Sequence, residues 1–138
     1  MLKAVIDTSA FMAGIISSTG AARRVIHAMS DGLFIPVACQ ETIEELIDVA
    51  QRPKFKDFIN ETEAKTLVET LNRRALFVRP AAFTKSISED PDDDVFLLVA
   101  LTAKADYVVS FDSHLLDLEI FRGVPIIKPS VFLRHLGI

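Results

Sequence analysis

The chain reads as an α/β protein with a parallel sheet covered by helices on both faces. Short, continuously apolar runs alternate along it with longer segments whose apolar residues recur at helical spacing. Strands buried on both faces take that uninterrupted apolar form, whereas half-solvated strands alternate polar and apolar residues. No internal repeat, low-complexity stretch or Gly/Ser-rich linker divides the sequence, so residues 1–138 are expected to form a single domain, long enough to bury one substantial core.

The elements follow in order. KAVID (3–7) is short, apolar and ends in an acid, which predicts a buried first strand. Residues 19–32 place Ala22, Val25, Ile26 and Met29 on one helical face, with Gly32 as a stop. LFIPV (33–37) is a second strand. Residues 39–51 form a helix with Ile43, Leu46, Ile47 and Ala50 on one side, ended by Arg52-Pro53. Asn60 with Glu63 makes a capping-box start for a helix over 60–75. LFVRP (76–80) is a third strand, 93–105 an almost wholly apolar helix, DYVVSFD (106–112) a fourth strand, VPIIK (124–128) a fifth and SVFLRHLG (130–137) a closing helix.

Half the residues are apolar and a quarter charged, a globular composition. The net charge of −4 and a pI near 5.3 argue against whole-molecule attraction to nucleic acid, leaving only local basic patches. One cysteine, Cys39, excludes an intramolecular disulfide and a Cys-cluster metal site. The N-terminal stretch lacks a signal-peptide pattern and no apolar run reaches about 18 residues. A soluble, cytoplasmic protein without membrane contact is expected.

Chemistry is to be sought at the carboxyl ends of the strands, where parallel sheets place their sites. Asp7 ends the first strand and Asp112 follows the fourth. The stretch EDPDDDVFLL (89–98) sets five carboxylates in six positions against an apolar run, its last acid, Asp94, falling in a first helical turn. Glu44 or Glu45 can reach the same place; both lie off the apolar stripe, and the helical wheel does not separate them. Carboxylates converging in a partly dry cleft repel one another. A divalent cation relieves this, and oxygen-only ligands select a hard ion such as Mg²⁺ or Mn²⁺. Each acid also has a plainer reading. Asp7 can cap a following helix with Thr8 and Ser9, Asp92 and Asp93 suit a helix start, Asp112 can cap SHLL, and the glutamates suit a solvated surface.

The order of segments VIDTSAF, EELIDVAQRPKF, DPDDDVFLLVALTAKADYVVSFDSHLL and VPIIKPSVFL resembles the PIN-domain family over Val5 to Leu133, and within it the branch of toxin components of toxin–antitoxin pairs. The resemblance implies a three-layer α/β/α sandwich, Rossmann-like, with a five-stranded parallel sheet and a metal-dependent ribonuclease site. It places the family's four acids on Asp7, Glu45, Asp94 and Asp112, choosing Glu45 over Glu44, and its small hydroxyl residue on Ser110. One or two Mg²⁺ or Mn²⁺ ions would be held there, with Ser9, Ser110 and Asp93 supporting ligands or water. The sequence departs from the pattern at Ser9, where Asn is common, at Phe111, which replaces a glycine, and at His114, which replaces a second acid.

Together these readings predict endoribonuclease hydrolysis of RNA, with Arg23, Arg24 and Lys54 as phosphate contacts beside the acidic cleft. A small antitoxin and self-association are the partners the resemblance implies. The alternative is a catalytically weak PIN-like module that binds nucleic acid or protein. Two other magnesium-binding readings fit less well. A receiver domain needs an aspartate ending the third strand, which LFVRP lacks, and a dehalogenase-type phosphatase needs a second Asp where Ser9 stands.

Overall fold

The computed structural model describes residues 1–80 and 94–138, with Asp94 described by its backbone alone. The chain runs β1 (Lys3–Ile6), α1 (Thr8–Ile16), α2 (Ala21–Ser30), β2 (Ile35–Ala38), α3 (Gln40–Ala50), α4 (Glu61–Arg74) and β3 (Leu76–Phe77). It continues through α5 (Asp94–Ala103), β4 (Tyr107–Val109), α6 (Ser113–Leu116), β5 (Ile120–Phe121), β6 (Val124–Ile127) and α7 (Pro129–Leu136).

The strands form one sheet in the order β3-β2-β1-β4-β6-β5. The first five are mutually parallel, and β5 pairs antiparallel with β6 at the edge. The predicted five-stranded parallel sheet is therefore present, with a sixth, two-residue strand added. That strand comes from a tight hairpin through Arg122 and Gly123, whose φ angles of 46° and 88° are both positive. Such a turn matches the twist of its flanking strands. An Arg-Gly pair is a weak turn signal, so the sequence did not announce it.

Alternating strand residues divide between two cores. Ala4, Ile6, Ala38 and Val109 face α1, α2, α3, α4 and α7. Val5, Val37, Val108 and Ile126 face α5 and α6. A parallel sheet covered on both faces is an α/β/α sandwich, and this explains why its strands carry no polar residue between apolar ones.

Two helices were not laid out as elements by the sequence pattern. In α1 the residues Ala10, Phe11, Met12, Gly14 and Ile15 are all buried, so no polar face reveals a helical period. Gly14 lets α1 and α2 approach closely: a Cβ there would lie 2.5 Å from Ile26 Cδ1 and 2.9 Å from the Ala22 carbonyl oxygen. The second, α6, is a single turn after Asp112.

At the amino end of the sheet, Lys3 ties β1 to the turn between α5 and β4. Its amide donates to Asp106 Oδ2 at 2.8 Å and its ammonium to the Ala103 carbonyl at 2.7 Å. Because only residues 104–106 separate α5 from β4, α5 runs antiparallel to its neighbouring strands. Its first residue, Asp94, therefore stands at the opposite, carboxyl edge.

Candidate functional site

The two central strands, β1 and β4, are neighbours from which the chain departs in opposite directions, to β2 on one side and β6 on the other. A crevice opens at such a switch point. The strand ends there are fixed by the ladder itself. The amide of Asp7 donates to the Val109 carbonyl and that of Ser110 to the Ile127 carbonyl, each at 3.0 Å. Asp7 and Ser110 are thus brought side by side, although 103 residues separate them.

Asp7 is 2 % exposed and Ser110 fully buried. The carboxylate of Asp7 accepts three hydrogen bonds: Ser9 Oγ at 2.8 Å and the Ala10 amide at 2.9 Å on Oδ1, and Ser110 Oγ at 2.5 Å on Oδ2. It is both the N-cap of α1, as the plainer sequence reading expected, and the centre of a polar cluster. Each serine has one hydroxyl hydrogen. Both hydrogens are committed to Asp7, so the 3.4 Å contact between Ser9 Oγ and Ser110 Oγ is left without a proton to share. The serine oxygens are used as acceptors instead: Ser9 Oγ takes the Phe111 amide at 3.1 Å and Ser110 Oγ the Asp112 amide at 2.8 Å.

Three donors would normally hold a carboxyl group low. Burial outweighs them here, and with the nearby Asp112 charge it raises the Asp7 pKa to about 6. Among the described residues no cation pairs with Asp7. Of the roughly four acceptor positions of a carboxylate, three are filled by hydrogen bonds. A buried, charge-strained carboxylate with acceptor capacity left on Oδ2 suits a hard cation, which would lower that pKa by direct attraction.

The remaining predicted acids are distributed as follows. Glu45 is half-buried on α3 and accepts the Thr8 hydroxyl at 2.5 Å on Oε2, so it reaches the residue next to Asp7. Glu44 is exposed and accepts from Gln40 Nε2 at 2.9 Å, one turn earlier on the same helix. Of the two glutamates that the helical wheel left open, Glu45 thus points toward Thr8 and Glu44 toward Gln40. Asp112 caps α6, its Oδ1 accepting the His114 amide at 2.9 Å, and its charge acts on Asp7. Asp94 opens α5 at the carboxyl edge. The expectations for Asp92, Asp93 and the Asp94 side chain lie outside the described residues. Among the described residues no group of three or more His, Cys, Asp or Glu side chains is close enough to hold a metal ion. Thr8, read from the sequence only as a capping residue, is the contact that sequence reasoning missed. A hydroxyl directly after a strand-ending acid was its one signal.

The expected phosphate contacts behave differently from one another. Arg23 is engaged in a bidentate pair with Glu63 of α4, at 3.0 and 2.8 Å, and also donates to the Gly14 carbonyl at 3.1 Å. Its guanidinium joins α1, α2 and α4, and its engagement holds the Glu63 carboxyl below the usual range. Arg24 is exposed on α2. Lys54 lies in the one-turn 3₁₀ helix Pro53–Phe55, its ammonium 5.0 Å from the centre of the Phe55 ring. No described helix is long and apolar enough to cross a membrane.

Comparison with known proteins adds two findings. The family model described as PIN domain matches residues 3–114, a span containing all four predicted acids. A solved structure, the crystal structure of PAE2754 from Pyrobaculum aerophilum, is similar with a TM-score of 0.65 at 14 % identity. The match covers 99 % of this chain and 90 % of that one, and at this identity it speaks for the fold alone. No curated protein matches.

Proposed function

The chain belongs to the PIN-domain family, whose members are typically nucleases, and on that premise we propose that it hydrolyses RNA phosphodiester bonds with one or two Mg²⁺ or Mn²⁺ ions. Asp7, Glu45, Asp94 and Asp112 would hold the metal. One observation supports this above the rest: the Asp7 carboxylate, buried at the central switch point and raised to a pKa of about 6, has no cationic partner among the described residues.

A bound dication supplies Lewis acidity at the phosphoryl oxygen and lowers the pKa of a water molecule near it. The protein's own part is positional. Ser9, Ser110 and the Ala10 amide fix both oxygens of Asp7, so the carboxylate need not reorganise when a cation or phosphate arrives. Thr8 fixes Glu45 from α1 in the same manner. Asp112 is oriented by the hydrogen bond its backbone amide donates to Ser110 Oγ and by its cap on α6. A covalent protein intermediate is not part of the proposal.

The test is cleavage of total RNA in Mg²⁺, Mn²⁺ or chelator. Wild type should cut only with metal, and Asp7→Asn or Asp94→Asn should abolish cutting while the fold persists. Undiminished cleavage by both variants ends this mechanism, and metal-insensitive RNA binding without cleavage favours the binding-module reading. The toxin role belongs to the same proposal. Induced expression should arrest growth, Asp7→Asn should relieve the arrest, and a small antitoxin co-expressed with wild type should do likewise.

A further inference from the structure

We propose that Phe111 is a base-stacking platform that seats one nucleobase of the substrate beside the acidic crevice, an inference that rests on the RNA reading above. Phe111 stands at the carboxyl end of β4 between Ser110, which holds Asp7, and Asp112. Its amide is fixed on Ser9 Oγ at 3.1 Å, so the backbone under the ring belongs to the same hydrogen-bonded cluster as Asp7. Yet the side chain is 45 % exposed and joins neither hydrophobic core.

An apolar ring carried on a backbone fixed in this way, yet left open to water, contributes little to packing. It also contributes no charge to a crevice that is already acidic, so phosphate is not its ligand. It offers a flat π surface, and every nucleobase has a complementary face. Stacking is tolerant of sequence and costs little entropy when the aromatic residue is pre-positioned. A base resting on Phe111 would carry its own phosphate to within one nucleotide of Asp7 and Asp112. Among the described residues the other strongly exposed phenylalanines lie elsewhere, Phe58 beyond the 3₁₀ turn and Phe77 on β3, two strands from β1.

The chain contains no tryptophan, so Phe111→Trp introduces a single reporter. In the Asp7→Asn background, to prevent turnover, this variant is titrated with oligoadenylate and with an abasic oligomer of equal phosphate count, binding being followed independently by anisotropy of the labelled oligomer. Stacking predicts quenching by oligoadenylate and none by the abasic chain. Phe111→Ala should bind oligoadenylate about 5- to 150-fold more weakly, the span of base–aromatic stacking. Its KM for RNA should rise correspondingly with kcat within about twofold, and Phe111→Tyr should restore the wild-type KM. Equal affinity of Phe111→Ala and wild type, or equal quenching by the abasic chain, overturns the proposal. Wild type that binds RNA through Phe111 without cutting it would sink hydrolysis and leave the stacking platform standing. Normal cleavage with an unchanged KM in Phe111→Ala would do the reverse, and absence of any RNA binding defeats both.

Discussion

Ser110 Oγ donates to Asp7 Oδ2 at 2.5 Å, a buried bond that joins the ends of the two central strands across 103 residues of sequence. It places the side chain on which the functional proposal turns, and it does so from the neighbouring strand. Ser110→Ala removes that donor and the acceptor of the Asp112 amide together. Losing one buried hydrogen bond and leaving a group unsatisfied costs about 1–3 kcal/mol. Chemical denaturation should show that loss, with the Asp7 pKa moving further up because a donor to its charged form has gone.

Asp7 also predicts a pH dependence opposite to that of a salt-bridged acid. Its pKa is about 6 folded against 3.8 unfolded. Between those values the native state holds a proton that the unfolded state releases, so stability falls as pH rises through the window and recovers as pH falls. A shift of that size corresponds to about 3 kcal/mol. Metal-free wild type and Asp7→Asn, compared by urea denaturation at pH 4 and pH 7, should therefore diverge by up to that amount, with the variant the more stable at pH 7. A constant difference across the range would refute the burial account of Asp7.

A dication that binds Asp7 should reverse this penalty. Mn²⁺ at about 100 times its dissociation constant stabilises the native state by about 2.7 kcal/mol. Wild type should gain in thermal melting temperature on adding Mn²⁺ at pH 7.5, and Asp7→Asn should gain almost nothing. An equal gain in both proteins places the ion somewhere else.

The two adjacent glutamates of α3 offer an internal control. Glu45→Gln disturbs the side chain bound to Thr8 and should reduce metal affinity and cleavage about 10- to 100-fold. Glu44→Gln, on the solvent side with Gln40, should leave both within about twofold. Equal effects would mean that the hydroxyl contact with Thr8 has no bearing on the site.

Arg23 was expected from the sequence to touch phosphate, and in the structure its guanidinium pairs with Glu63. Arg23→Ala should cost about 0.2–1 kcal/mol, as for partly exposed ion pairs, and leave the salt dependence of RNA binding unchanged. A shallower salt slope in the variant would return Arg23 to the phosphate contacts.

Much of this molecule is legible in its sequence because burial on both faces writes itself as uninterrupted apolar runs, as in Ala4 to Ile6 of β1 and VPII of β6. Amphipathic helices such as α4, with Asn60 capping and a single apolar stripe, are legible for the converse reason. Where burial is all-round the signal vanishes: α1 has no polar face, and its existence is marked only by Asp7 as a cap. The β5–β6 hairpin rests on two positive φ angles, and neither Arg122 nor its pairing with Gly123 advertises them strongly. The acids were visible as residues, but which of them come near one another depends on strand order. No pattern in the chain states that β1 and β4 are adjacent, and the family resemblance supplied that link. The direction of Glu45 against Glu44 likewise depends on where Thr8 lies, a tertiary fact.

The most direct measurement is anomalous diffraction from a crystal soaked in Mn²⁺. The account predicts a peak at the carboxyl edge of β1, bridging the carboxylates of Asp7 and Asp94, which disappears in Asp7→Asn. A difference map with those two side chains directed to separate places and no ion between them would contradict it.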